Sequence, residues 1–325
     1  MISEITRRLA LAGTVVLSAF PAFGQDAWPT APIRVFVGFP AGSSPDTLAR
    51  VVTDELAQRL GQPIVIENRP GAGGVIGVQQ MLVSAGDGHT FGTTINGPLT
   101  TAQRMMDSTG FDVEADIMPV SLIATSPLVL AVSADSDIVD LDSFIAAAAA
   151  EPEAIAYGSV GQGSGAHLTA ELFATEAGIS MLHVPFTSYA EVTTSILGNE
   201  IDAGFMAPSA ALPFVEAGTM RMLGMTSSEP FAQAPDVPVI AGNAGLPEDF
   251  RAELWNAFIA PAGTDAAIIE RLNTEIAEIL ADPGVQERLL TIGWQAAPGS
   301  PDDLRQRITD DTAMWGEVID RVQAQ

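Results

Sequence analysis

From Ile33 onward, short runs rich in β-branched residues alternate with segments whose apolar side chains recur every three or four positions. That alternation predicts α/β architecture, with mostly parallel sheets flanked by helices. "IRVFVGF" (33–39) reads as the first strand. After the loop "PAGSSPD" (40–46), Leu48, Val51, Val52, Leu56 and Leu60 fall on one face of a helix. Ser44 is placed to cap that helix, with Pro45 at its first position and Asp46 in its first turn. Strand "PIVIE", the loop "NRPGAGG", a helix over 75–83 and strand "HTFGTTI" complete a first set of units.

"VSLIATSPLVLAVSA" (120–134) is too long for an ordinary strand and is broken at Ser126–Pro127, which predicts a strand passing between two domains. A second set follows: a helix over 141–150, strand "AIAYGS", the glycine-rich loop "GSVGQGSG" (158–165), a helix over 166–176, strand "MLHVPF", a helix over 190–197, "AGFM", a helix over 210–217 and "RMLGMTS". The Pro-rich stretch "EPFAQAPDVPVI" leads to strand "LWNAFIAPAG" and three closing helices. Apolar residues of those helices, among them Leu304, Ile308, Trp315 and Ile319, read as core contacts. The expected division is a leader over 1–24, a first lobe of 25–124 plus 229–325, and a second lobe of 125–228.

Two such domains joined by crossing strands enclose a cleft at the carboxyl ends of their strands, where α/β proteins bind ligands. "PAGSSPD" and "GSVGQGSG" each lie between a strand and a helix and would face the cleft from opposite sides. The first amides of a helix lack internal partners and the helix dipole favours an anion there, so paired loops of this kind suit a carboxylate. "NRPGAGG" is either a third anion nest or a tight structural turn.

The N-terminus adds a location. Arg7 and Arg8, the apolar run "LALAGTVVLSAF" and the small residues Ala22 and Gly24 have the layout of a secretory signal peptide cleaved near Gly24–Gln25. "TRRLAL" leaves the export route open between the general and twin-arginine systems. With no cysteine in the chain, disulfides and an N-terminal lipid are excluded, which favours an unlipidated periplasmic protein. Acidic residues number 40 against 14 basic ones, all of them Arg, for a net charge of −26. Nucleic acid is therefore a poor partner, and any anion must be held by local donors rather than by a basic field.

Catalytic signals are sparse. Gly161, Gly163 and Ala166 match the spacing of a dinucleotide fingerprint, but the acid that such a fold needs about 20 residues onward is missing from "HVPFTS". His89, His167 and His183 stand singly, with no metal-ligand spacing, and no G-x-S-x-G elbow occurs. His183 reads as a core residue. His167, in the first turn after the glycine loop, reads either as a ligand contact or as a brace for the loop. No catalytic residue, metal or cofactor is expected.

Several segments in order, "WPTAPIRVFVGFPAGSSPDTLAR", "LGQPIVIENRPGAGGVIG", "AIAYGSVGQGSGAHLTAELF", "HVPF", "PDVPVIAGNAGLP" and "APAGT", closely resemble the extracytoplasmic solute receptors of tripartite tricarboxylate transporters, the Bug family. The resemblance implies a two-lobed, type II-like periplasmic binding protein that closes around a small organic carboxylate. It also implies delivery of that acid to the membrane permease subunits of such a transporter, by a monomer. Carried over, Phe39, Ala41, Gly42, Ser43, Ser44 and Asp46 form the first gripping loop. Ser159, Gly161, Gly163, Ser164 and His167 form the second, with Asn96, Phe186, Thr187, Ser188, Tyr189 and Met206 shaping the pocket. Relatives commonly have Pro, Gly, Gly and Thr where this chain has Ala41, Ser43, Ser44 and Pro45. Many have Asp at Met206, whose loss here would favour a less polar ligand tail. A secreted enzyme acting in the same cleft and a receptor for a sensor kinase are the competing readings.

Overall fold

A computed structural model describes residues 28–84 and 86–324, so the expected signal peptide over 1–24 lies outside the described residues. The first units are β1 (Ile33–Val37), α1 (Ser44–Leu60), β2 (Ile64–Asn68), a 3-10 turn at Ala72–Gly74, α2 (Val75–Leu82) and β3 (Thr90–Ile95). β1 pairs in parallel with both β2 and β3, as right-handed βαβ units require. Three single-turn helices, α3 (Asn96–Leu99), α4 (Ala102–Met105) and α5 (Val113–Asp116), then lead into β4 (Ile117–Pro127), which has eleven residues.

Only Leu128 separates β4 from β5 (Val129–Ser133), and the two strands lie in different sheets. The long run at 120–134 thus crosses from one layer system to the other, one residue beyond the proline that breaks it. The second set comprises α6 (Leu141–Ala150), β6 (Ala156–Ser159), α7 (Gly165–Ala177), β7 (Leu182–Pro185), α8 (Tyr189–Leu197), β8 (Ala203–Met206), α9 (Pro208–Glu216) and β9 (Met220–Met225). The chain returns through β10 (Glu253–Pro261), then α10 (Ala266–Leu280), α11 (Pro283–Thr291), the short β11 (Gln295–Ala296) and α12 (Pro301–Ala324).

The six-stranded sheet has the order β11-β4-β10-β3-β1-β2 and the five-stranded sheet β7-β6-β8-β5-β9. Both are mixed rather than mostly parallel. The βαβ units are parallel, whereas the crossing strands β4, β5 and β10 run antiparallel to their neighbours because they enter or leave a lobe instead of closing a βαβ unit. The two crossings meet where Glu253 pairs with Pro127.

α12 ties the lobes together. Leu304 and Ile308 bury in the core of the first sheet, while Trp315, Val318 and Ile319, two to three turns later, bury in the core of the second beside Phe173. Residues 229–252, allotted by sequence to the first lobe, place Ile240, Leu246 and Phe250 in that same second core. Among the described residues no helix is long and apolar enough to cross a membrane.

Candidate functional site

The loop after β1 is organised by Asp46 rather than by a serine cap. Ser43, not Ser44, is the N-cap of α1, and it makes no side-chain capping bond. Its hydroxyl donates instead to Pro40 O at 2.6 Å, and Ser44 Oγ accepts from the Trp294 indole, also at 2.6 Å. Asp46, 1% exposed, reaches back to accept the Gly42 N–H at 2.8 Å, and it also accepts from Arg50 and from Asn68. Burial opposes its ionisation, but these donors, Arg50 foremost, outweigh burial and hold the carboxyl below its ordinary range. Asn68 donates in addition to Phe39 O at 2.9 Å, so Asp46 and Asn68 together fix the turn that aims Phe39. The Phe39 ring lies over Gly74, where any side chain would meet it at 2.8 Å.

The loop after β6 has its own internal brace. Gly163, at φ +75°, donates its N–H to His167 Nδ1 at 2.9 Å, and Ser164 caps α7 by accepting from the His167 N–H. The accepting Nδ1 places the proton of the neutral ring on Nε2, which lies 3.9 Å from Glu171 Oε1. Tyr157 donates to that same oxygen at 2.7 Å. The His167 ring stacks on His183 with centroids 4.0 Å apart, and His183 stacks in turn on Tyr157 at 5.0 Å. His183 Nε2 and Ser159 Oγ are 2.7 Å apart, and Ser159 Oγ accepts the Gly161 N–H. Of the two roles open to His167, the structure shows the brace. His183, expected as a core residue, is half-buried on the edge strand β7, where its outer position leaves one side uncovered.

Burial, and next the neighbouring His167, push the His183 pKa down to about 4. Between the ordinary value of 6.5 and about 4, the unfolded chain binds a proton that the folded chain refuses. Stability is therefore full above 6.5, falls as pH drops through this window and levels off once both states are protonated. Thermal unfolding across that range is expected to show a shallower pH slope for His183→Gln than for the wild type. Equal slopes would remove His183 from the account.

Between the two sheets lies a cavity of about 320 Å³. Phe39, Asn96, Gly163 and Ser164 are the sequence-assigned residues that reach it. Gly165 also lines it, in the first turn of α7 where amides lack intrahelical acceptors. Gly73 of the "NRPGAGG" turn joins them, so that turn borders the cleft. The remaining wall includes residues that sequence reasoning did not assign to the pocket, among them Thr101, Leu168 and Thr169, Leu128 and Glu253 at the crossings, and Trp315 of α12, which it read as a core contact. No Arg or His lines the cavity among the described residues, and Glu253 is the single charged residue in its wall. A larger surface groove of about 680 Å³ runs between α12 and α3–α5, but neither glycine loop borders it.

The other assigned residues lie elsewhere. Ala41, Gly42 and Ser44 are exposed on the rim of the first loop, and Ser43 is half-buried. Ser159 and His167 are buried and bonded within the second loop. Phe186 borders a separate shallow hollow with Ala190 and Glu191. Thr187 donates to Glu191, and Ser188 caps α8. Tyr189 packs between two apolar clusters. Met206 is fully buried in the core of the second sheet, so its contrast with the Asp of relatives bears on that core and not on this cavity. Among the described residues no group of three or more His, Asp or Glu is placed to hold a metal ion.

The model of the TctC family, described as tripartite tricarboxylate transporter family receptor, matches residues 48–323. Protein BugT of Bordetella pertussis (strain Tohama I) is 35% identical over 319 residues, covering 97% of either chain. A solved R. palustris protein with adipate superposes with a TM-score of 0.71 at 29% identity, over 91% of this chain and 98% of its own. A TctC solute binding protein from Polaromonas, solved without ligand, reaches a TM-score of 0.83 over 90% of this chain and 99% of its own; at 23% identity it shows the shared two-lobed fold.

Proposed function

Because the chain belongs to the tripartite tricarboxylate transporter receptor family, and is a solute receptor for small carboxylates rather than an enzyme, we propose that the cavity between its sheets is where the acid is held. The observation that carries this reading is the composition of the wall: segments of both lobes meet there, with amides and hydroxyls but no cationic side chain. Ser164 and the first-turn amide of Gly165 supply donors from the second lobe, and Asn96 and Thr101 supply them from the first. A carboxylate seated among such fixed dipoles is stabilised without a counterion. Contacts available from both lobes only when they close would bias the hinge toward the closed state.

The hinge is drawn at Leu128 and at Ala252, the residue before β10 begins, later on the second crossing than the residue 228 read from sequence. In this account the receptor is a periplasmic monomer, exported through its N-terminal segment, that delivers the acid to permease subunits in the membrane. The test is a thermal-shift screen of small carboxylates. An acid at 100 times its Kd is expected to add about 2.7 kcal/mol, a rise of several degrees in the midpoint. If no carboxylate moves the midpoint, the cleft reading fails.

A further inference from the structure

His183, on the edge strand β7, does not line the interlobe cavity, yet both tied glycine amides of the second loop lead back to its ring. Its Nε2 lies 2.7 Å from Ser159 Oγ, which accepts the Gly161 N–H at 3.2 Å. Its face covers the His167 ring, with centroids 4.0 Å and planes 20° apart, and His167 Nδ1 accepts the Gly163 N–H. Gly161 and Gly163 sit at φ +117° and +75°, so these two acceptors tie down the left-handed turns that shape the loop. Gly163 borders the cavity, followed directly by Ser164 and Gly165, the donors assigned to the acid.

The tie to Gly163 holds under one condition. Nδ1 accepts only while it carries no proton; a protonated imidazole has two donors, and its N–H would then oppose the Gly163 N–H. The titratable groups facing the two rings are Glu171 of α7 and Tyr157 of β6. Glu171 Oε1 lies 3.9 Å from His167 Nε2, while Tyr157 donates to that same oxygen and stacks on His183. Glu171 favours a charged His167, but burial outweighs it and keeps the ring neutral to lower pH than usual. His167 is 4% exposed, and His183 supplies the cover over one face of its ring.

Resting on the cleft reading above, we propose that His183 is a positioning residue for the acid-binding loop. It touches no ligand. By covering His167 and engaging Ser159, it keeps both glycine amides tied and the donors of Ser164 and Gly165 in place. Without that cover, one proton on His167 releases Gly163, and carboxylate binding becomes acid-sensitive.

Calorimetry of wild type and His183→Ala at pH 7.5 and 5.5 tests this, with butyrate, hexanoate, benzoate and succinate as probes. In His183→Ala the His167 ring is open to water beside Glu171 and is expected to titrate near its ordinary 6.5. At pH 5.5 about one ring in eleven would still accept from Gly163, so affinity should fall about 10-fold from its value at pH 7.5. Wild type should stay within about 2-fold. His167→Asn puts an amide oxygen, which does not titrate, close to the place of Nδ1, and adding it to His183→Ala is expected to flatten the profile again. In 15N-labelled wild-type protein, which needs no variant to fold, the Gly163 amide signal should move in step with protonation of the His167 ring. A His183→Ala profile parallel to that of wild type, a slope that survives His167→Asn, or a Gly163 signal that stays fixed while His167 titrates each overturns the assignment and leaves the cleft reading standing. If neither these probes nor any other carboxylate of the thermal-shift screen binds wild type, the cleft reading falls, and this role in binding with it.

Discussion

Gly77→Ala is expected to destabilise the fold by about 3 kcal/mol, roughly 5 °C in the unfolding midpoint for a chain of this length. A Cβ at position 77 would stand 2.5 Å from Gly38 N and 3.1 Å from Val37 C. Those atoms are main chain at the exit of β1 and cannot rotate aside, unlike the tip of a side chain. The approach is equally tight from the strand side, where a Cβ on Gly38 would fall 2.6 Å from Gly74 Cα at the start of α2. Strand and helix therefore meet backbone to backbone, and this approach seats Phe39 over Gly74 and brings Gly73 to the cavity. Gly73→Ala is the matched control: its φ is +61°, but nothing lies within 4 Å of the added carbon. It is expected to cost only the left-handed strain, about 1 kcal/mol. Denaturation of both variants decides the matter, and equal losses would mean that α2 can shift away from β1 at little cost.

The glycines of this motif were visible in the sequence, and so was the alternation of strand and helix, because a period of 2 or 3.6 is a local property. The crossing at Leu128 was legible for the same reason: a β-rich run too long for one sheet, interrupted by Ser126–Pro127. What the sequence could not convey is which polar groups of each loop face inward. Ser44 offers a hydroxyl suited to capping or to a ligand, yet its oxygen is taken by Trp294, 250 residues later. Asp46 and the Nδ1 of His167, both on residues assigned to the ligand by resemblance, hydrogen-bond within their loops and hold them in shape. Conversely, Trp315 falls at helical spacing with Ile308 and Ile319 and reads as a core residue. It is one, but the bridging course of α12 also brings it to the cavity wall. Periodicity reports burial and says nothing of a second face.

The same distinction between holding a loop and gripping a ligand governs Gly163. Valine there is expected to weaken carboxylate binding at least 100-fold, or about 2.7 kcal/mol, while the unliganded protein loses about 1–2 kcal/mol. Three features combine. The φ of +75° is a left-handed value that a β-branched residue scarcely tolerates, so the turn presenting the Gly163 amide to His167 must distort. The position lines the cavity, so the new methyl groups occupy ligand space. A Cβ would also come within 2.8 Å of the Met105 methyl on the facing lobe, which opposes closure. Only the third of these can be relieved from outside, because Met105 is half exposed and flexible. Gly163→Ala is therefore expected to bind more weakly than the wild type but better than Gly163→Val, and adding Met105→Ala to the valine variant should recover little. Calorimetry with a carboxylate that the thermal screen identifies separates the cases. Full recovery in the double variant would reduce the loop to a steric neighbour of Met105, whereas wild-type affinity in Gly163→Val would take the glycine loop out of the site altogether.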